Sequence, residues 1–412
     1  MPAWLRLDAQ ESLPYWLSFG AEERARMEVA TGNNYQDNAS VGYLLNRLRL
    51  QMQIKPASWF KIGVQAQDSR AWHYFAQPAP TSVRDSVDLR QAFVEIGGGE
   101  GRRFGLEAGR QPLDFGEGRL VADAKWSNVG RTFDALRLTV RRRGLKLDVF
   151  AASPVQIKDD EINRCGYGNT FYGLYAVLDR VVPKSSLETY FFSKLAHGVK
   201  AESGQLGNQQ VHTAGMRWSG RLPLRFDYGI EAARQVGFIA GDPIAAWAGH
   251  WAVGYTFTDG SRRPRVLAEY NYASGDRNAK DGRRGSFDQL YPSAHDKFGM
   301  ADQLMWSNMH DAQAALEFRV SRDLTLKGGY NSLWLAQARD GLYRGGKLFV
   351  KVADGSAGRH IGEEADIQGT YAMDRRTQVQ AGYGRLFPGR YLKAATPGSP
   401  YNFVFLSVAR KF

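Results

Sequence analysis

Basic side chains recur two residues apart in several segments: Arg24 and Arg26, then Arg47 and Arg49, each pair straddling one apolar residue. Lys61, Arg137, Lys146, Arg225, Arg265, Arg319 and Lys327 hold the same polar parity in their own segments. A guanidinium fork binds a carboxylate through two parallel hydrogen bonds, and a ring of such groups around a wet path favours anions. Carboxylates share this parity at Glu22, Glu28, Asp227, Glu231, Glu269, Glu317, Glu364 and Asp366. The set supports two readings: a charge network bracing a wall, or a surface that recognises an anion. The whole chain leans basic, with 54 Lys+Arg against 42 Asp+Glu and a formal net charge of +12, which points to an anionic partner.

Covalent chemistry has little support. The seven histidines, His73, His197, His212, His250, His295, His310 and His360, form no H-E-x-x-H pair. There is no G-x-S-x-G elbow and no G-x-x-x-x-G-K-[ST] loop. The run Gly97-Gly98-Gly99-Glu100-Gly101 suits a hairpin turn better than a dinucleotide site. Cys165 is the only cysteine, so neither an intrachain disulfide nor a thiolate zinc cluster is available. The expectation is no catalytic residue, no metal and no cofactor.

The elements that carry these charges alternate with a period of two. Leu17, Phe19, Ala21, Ala25, Met27 and Val29 oppose Ser18, Gly20, Glu22, Arg24, Arg26 and Glu28. Leu48, Leu50, Met52 and Ile54 oppose Arg47, Arg49, Gln51, Gln53 and Lys55; Phe60, Ile62, Val64 and Ala66 oppose Lys61, Gly63, Gln65 and Gln67. Such alternation predicts strands with one apolar and one polar face. Strands are expected near 16–30, 42–55, 59–70, 87–97, 103–111, 132–142, 144–153, 169–178 and 187–196. A second set is expected near 209–219, 223–235, 245–258, 264–274, 305–320, 323–337, 361–373, 376–387 and 401–412. Most exceed the ~9–11 residues that a tilted transmembrane strand needs. No stretch reaches ~18 consecutive apolar residues, so a transmembrane helix is not expected.

Short turns at Pro56-Ala57-Ser58, Arg142-Arg143, Gly220-Arg221-Leu222 and Ser321-Arg322 alternate with long connections at 71–86, 112–131, 154–168, 275–304, 338–360 and 388–400. An up-and-down barrel of about eighteen strands gathers short turns on the periplasmic side and long loops outside. The fold class is therefore all-β: one transmembrane antiparallel barrel domain over 1–412, in a bacterial outer membrane. Its apolar parity meets outer-membrane lipid, where an inward-directed charge avoids a cost of ~2–4 kcal/mol at the midplane. Trp16, Trp59, Trp218, Tyr228, Trp251, Tyr255, Tyr270, Tyr272 and Tyr383 suit interfacial girdles. The closing stripe Val404, Leu406, Val408, Phe412 is interrupted by Arg410. Met1-Pro2-Ala3-Trp4 begins no secretory signal, so a chain crossing an inner membrane is expected to have had its signal removed. Nucleic acid is excluded as partner, because basic residues recurring inward on many strands do not make one exposed patch.

Four segments carry a resemblance: "LEAGRQPLDFGEGRLVADAKWSNVGRTFDALR" (106–137), "SFDQLYPSAHDKFGMADQLMWSN" (286–308), "HIGEEADIQGTY" (360–371) and "YGRLFPGRYLKAATPGSPYNFVFLSVARKF" (383–412). Together and in this order they resemble the alginate-export family of outer-membrane porins. The resemblance implies an eighteen-stranded barrel whose electropositive constriction passes a polyuronate. It also implies that the third outer loop, 112–131, narrows the pore mouth, with Asp114, Glu117, Arg119, Asp123, Lys125, Arg131 and Asp134 as its charged network. The short connection Asp374-Arg375-Arg376 leaves no room for a periplasmic plug.

The expected function is a passive channel for an anionic polysaccharide or another anionic solute, with periplasmic secretion components as compatible partners. A general anion or small sugar-acid porin is the rival within transport. From other classes come an outer-membrane hydrolase assembled from separate strands and a structural or adhesive barrel with a blocked lumen.

Overall fold

A backbone immersed in lipid must satisfy every N–H and C=O internally, and a sheet does so only when it closes on itself. The computed structural model describes residues 13–412, apart from 74–82 and positions 100, 160, 180, 202, 259 and 279. The reading of residues 1–4, and most of the expected 71–86 connection, lie outside the described residues.

Eighteen strands form the wall. They are β1 (Leu17–Thr31), β2 (Ser40–Ala57), β3 (Phe60–His73), β4 (Asp85–Ile96), β5 (Phe104–Gln111), β6 (Phe133–Arg142), β7 (Leu145–Gln156), β8 (Asn169–Leu178) and β9 (Ser185–Lys200). There follow β10 (Leu206–Arg221), β11 (Phe226–Ile239), β12 (Asp242–Thr256), β13 (Arg265–Ala273), β14 (Met309–Arg319), β15 (Leu324–Leu335), β16 (His360–Ala372), β17 (Thr377–Pro388) and β18 (Tyr401–Lys411). Each pairs antiparallel with its sequence neighbour, and β1 closes on β18 from Glu22↔Lys411 to Thr31↔Asn402. The alternation decides which way each side chain points. Leu50 is 52% exposed on the lipid side, whereas Arg49 beside it is 8% exposed inside.

Three differences from the sequence reading have local causes. Pro223–Arg225 is a 3-10 turn and not the start of a strand, since Leu224 and Arg225 both have positive φ. β14 begins at Met309 and not at 305, because Trp306 is buried in the preceding loop and Asn308 turns the chain with φ 48°. The outer connections are not uniformly long: 201–205 is short, and Ala240-Gly241 is a two-residue turn with φ 47° and 99°. Over that low rim the 274–308 loop folds inward, with Ile244 bridging to Arg284.

Arg410 interrupts the closing stripe at the short-turn end of β18, where it donates to Thr377 Oγ1 (3.2 Å) and lies 3.9 Å from Asp374. Its charge is met at the rim rather than in lipid. Val404, Leu406 and Val408 remain on the outer face. Among the described residues no helix is long and apolar enough to cross a membrane, and the one α-helix, Arg390–Ala395, lies in an outer loop.

Candidate functional site

The 112–132 connection, L3, turns into the lumen because the wall offers it guanidinium donors. Arg24 and Arg47 face each other across β1 and β2. Arg24 donates to Lys125 O (3.1 Å) and Ser127 O (3.0 Å), Arg47 to Ser127 O (3.1 Å), and Arg26 to Trp126 O (2.6 Å). Arg26 also lies 3.8 Å over the Trp126 ring. Arg49 donates to Gln67 (2.7 Å), which in turn holds Val129 O (2.9 Å). Glu22 and Glu28 balance Arg47 (2.6 Å) and Arg26 (2.7 Å). The four arginines thus line the wall as the alternation predicts. Their donors nevertheless go to loop carbonyls, and the groups are buried behind L3, so in this arrangement a solute meets the loop first.

L3 carries its own charges to the centre. Arg119 is buried and donates to Glu269 (2.8 Å) on β13 and Asn271 (3.2 Å), with His250 at 3.3 Å. Glu117 accepts from Arg217 of β10 (2.6 Å), which also binds Glu188 of β9 (2.5 Å). Burial alone would push the Glu117 carboxyl up, but Arg119 and Arg217 hold it down at about 2. Lys125 pairs with Asp114 (2.7 Å), and Asp123 pairs with Arg90 of β4. Arg131 donates to Pro292 O (2.7 Å), tying L3 to the later loop. Asp134 departs from the expected set: it lies on β6 and takes Arg110 of β5 in a two-pronged pair (2.8 and 3.2 Å), bracing the wall.

The second inward loop, L7 (274–308), was not singled out as a constriction. Phe287, Phe298, Met300 and Trp306 are buried in it, against L3 residues Leu113, Leu120 and Val121 within one apolar core. Glu364 of β16 accepts Ala301 N (2.8 Å), and Lys194 of β9 pairs with Asp288 (2.7 Å). L3 and L7 share a parallel bridge, Val121↔Tyr291. The signal was present in the sequence: a connection this long and this rich in large apolar residues cannot be left solvated.

Beneath the loops, on the short-turn side, a chamber of about 1350 Å3 opens along β9–β15. Arg225, Arg265, Arg319 and Lys327 line it, as do Glu117 and Arg119. Arg225 does so from the turn, donating to Phe257 O (3.1 Å), and Arg265 is forked onto Asp227 (3.0 and 2.5 Å). The lining holds ten Lys and Arg (positions 119, 184, 217, 221, 225, 263, 265, 297, 319 and 327) against five Asp and Glu (117, 227, 269, 296 and 317). Lys184, Arg217, Arg221, Arg263 and Lys297 were not among the expected residues. Arg217 sits on the inward parity of a strand that was expected, while the others lie at turns or in L7, where alternation gives no direction. Lys61, Arg137 and Lys146 lie elsewhere on the wall, matched by Glu95, Glu107 (3.1 Å) and Asp148 (2.9 Å).

Among the described residues no group of three His, Cys, Asp or Glu is placed to hold a metal. Ser193 and His212 meet at 3.0 Å, but a hydrolytic triad also needs a group that orients the ring, and among the described residues no further hydrogen bond to His212 supplies one.

The barrel superposes on solved structures from Pseudomonas aeruginosa. OpdQ matches with a TM-score of 0.63 at 11% identity, covering 96% of this chain and 98% of that one. OpdO matches with a TM-score of 0.63 at 13% identity (96% and 97%), and OpdK with vanillate at 0.63 and 10% (96% and 98%). At such identities the likeness shows the fold alone, a closed eighteen-stranded antiparallel barrel. No curated protein sequence matches the chain. The sequence model described as alginate export matches residues 15–405, nearly the whole length. This outer-membrane channel belongs to the alginate-export family.

Proposed function

We propose that the barrel conducts a carboxylate-bearing solute through the short-turn chamber, and that an acidic polysaccharide of the polyuronate kind is its principal cargo. The observation that carries this reading is the imbalance of the chamber lining, ten cationic side chains against five carboxylates. Lys184, Arg221, Arg263, Lys297 and Arg319 form no ion pair among the described residues, so their charge is available to a passing anion. A polyuronate presents one carboxylate per sugar and can step between such cations without a single tight trap. The family's own description, alginate export, favours the polymer. The surplus lies at the mouth where a periplasmic secretion component would deliver it.

One observation favours a second reading, a porin for small sugar acids or similar anions. L3 and L7 pack together into the lumen on one apolar core, and one structural neighbour, OpdK, is described with vanillate, a small carboxylate. Planar-bilayer recording separates the readings. The polymer reading expects an oligouronate to block current at low ionic strength, while a neutral glucan of similar length does not. Reversing Arg263 and Arg319 to Glu should weaken that block and shift the reversal potential toward cations. Current carried by a monomeric uronate without oligouronate block would leave the small-solute reading standing. No discrimination between acidic and neutral sugars would reject both.

A further inference from the structure

A second cavity, of about 330 Å3, lies on the outer side of L7 against β9–β12, and it shares no lining residue with the basic chamber. Lys194, Gln235, Arg284, Asp288 and Tyr343 are among its polar groups, with Gln209, Ser286 and Ser307, over an apolar floor that includes Val211, Ile244 and Phe287. Most of these polar groups are already engaged. Lys194 pairs with Asp288 (2.7 Å), Gln235 both accepts from Asp288 N (2.8 Å) and donates to Asp288 O (2.7 Å), and Tyr343 donates to Asp340 (2.8 Å).

The Arg284 guanidinium differs. Among the described residues it makes neither an ion pair nor a hydrogen bond, while its backbone is fixed on both sides: its N–H donates to Pro243 O (2.9 Å) and its carbonyl accepts from Ala245 N (3.0 Å). A rigid main chain therefore sets at this cavity, over its apolar floor, a guanidinium that makes no hydrogen bond or ion pair and feels Asp288 only through its field. That combination suits a carboxylate on a compact apolar body. Since each water occupies ~30 Å3, the cavity holds the equivalent of about ten waters, enough for a small organic acid and too little for a sugar polymer.

We infer that this outer cavity is a binding site for a small organic monocarboxylate with a compact apolar body, whose carboxylate is held by Arg284 with Lys194 beside it. Asp288 competes with the ligand for the Lys194 ammonium. The site shares with the proposed conduction path only the sign of the solute's charge, and the path does not depend on it.

The test is calorimetric titration of the full chain in detergent, with benzoate as probe and benzamide as its neutral counterpart. Benzoate should bind saturably at one site, and benzamide at least tenfold more weakly. Arg284→Gln should weaken benzoate at least tenfold while leaving the bilayer reversal potential in potassium chloride unchanged. Asp288→Asn keeps an acceptor oxygen for Leu290 N, which Asp288 now binds at 2.8 Å, but frees Lys194; it should tighten benzoate severalfold. Equal binding of benzoate and benzamide overturns the inference, as does no saturable binding by folded protein. So does full affinity in Arg284→Gln or weaker binding in Asp288→Asn. If Arg284→Gln fails to fold, the benzamide comparison and Asp288→Asn still decide.

Discussion

Glu117 sits one-third exposed between Arg119 and Arg217, and that placement sets a pH window. Its carboxyl is held at about 2, below the ordinary 4.5. A group depressed in this way contributes its full stabilisation above its ordinary pKa and loses it as pH falls through the folded value. The hold of L3 on β10 should therefore loosen between pH about 4.5 and about 2, seen as a rise in single-channel conductance. Glu117→Gln should raise conductance already at neutral pH and remove this acid step; an identical acid response in the variant would count against the assignment. Arg47 and Arg49 lead to a different expectation. Because both hold L3, changing them to Glu should raise conductance and lower thermal stability, each lost charged hydrogen bond costing ~1.5–3 kcal/mol. An inverted selectivity with unchanged conductance would show that they meet the solute directly. The inward direction of these side chains was legible from Leu48 between them. Their loop partners were not, because Lys125 and Ser127 for Arg47, and Val129 for Arg49, lie some 80 residues away and present only backbone carbonyls.

At the scale of elements, periodicity located every wall strand, since lipid on one side and water on the other leave little freedom. It failed where the chain turns inward. L7 shows no alternation, and its packing depends on Phe287, Phe298 and Trp306 meeting L3, which no local pattern specifies. The junction with β14 was misplaced for the same reason: Trp306 reads as a strand aromatic until the core claims it. L3 and L7 are fastened to each other by Arg131 on Pro292 O and by Ala122 N donating to Tyr291 O (2.9 Å). Removing either should therefore release the other. Deleting 286–306 should increase conductance at least as much as deleting 112–131, while heat-modifiable migration on a gel reports that the barrel remains folded. If the 286–306 deletion leaves conductance at its original level, L7 packs without closing the path.

For the whole molecule, a closed barrel with an apolar exterior should require detergent and should migrate differently before and after boiling. Protein that stays monomeric without detergent would contradict the membrane assignment. The sequence also showed the cationic excess but not its location, because Lys184 and Arg263 stand at turns where parity is undefined and Arg221, the last residue of β10, reads as part of a turn. The structure gathers much of that excess in the short-turn chamber, ten cations against five carboxylates, while in the opposite half L3 and L7 pack on one apolar core. Fixed charge confined to one end makes a conduit into a rectifier. Anions accumulate at the charged mouth and feed the current when the field drives them outward. In reverse they must come through the loops from an unenriched bath. The current–voltage curve should bend accordingly, with the larger anion flow running from the periplasmic side to the exterior. It should straighten near 1 M salt, where screening shrinks to ~3 Å. Under equal and opposite gradients such a pore would pass more anion outward than inward, while the gradient alone still sets the net direction.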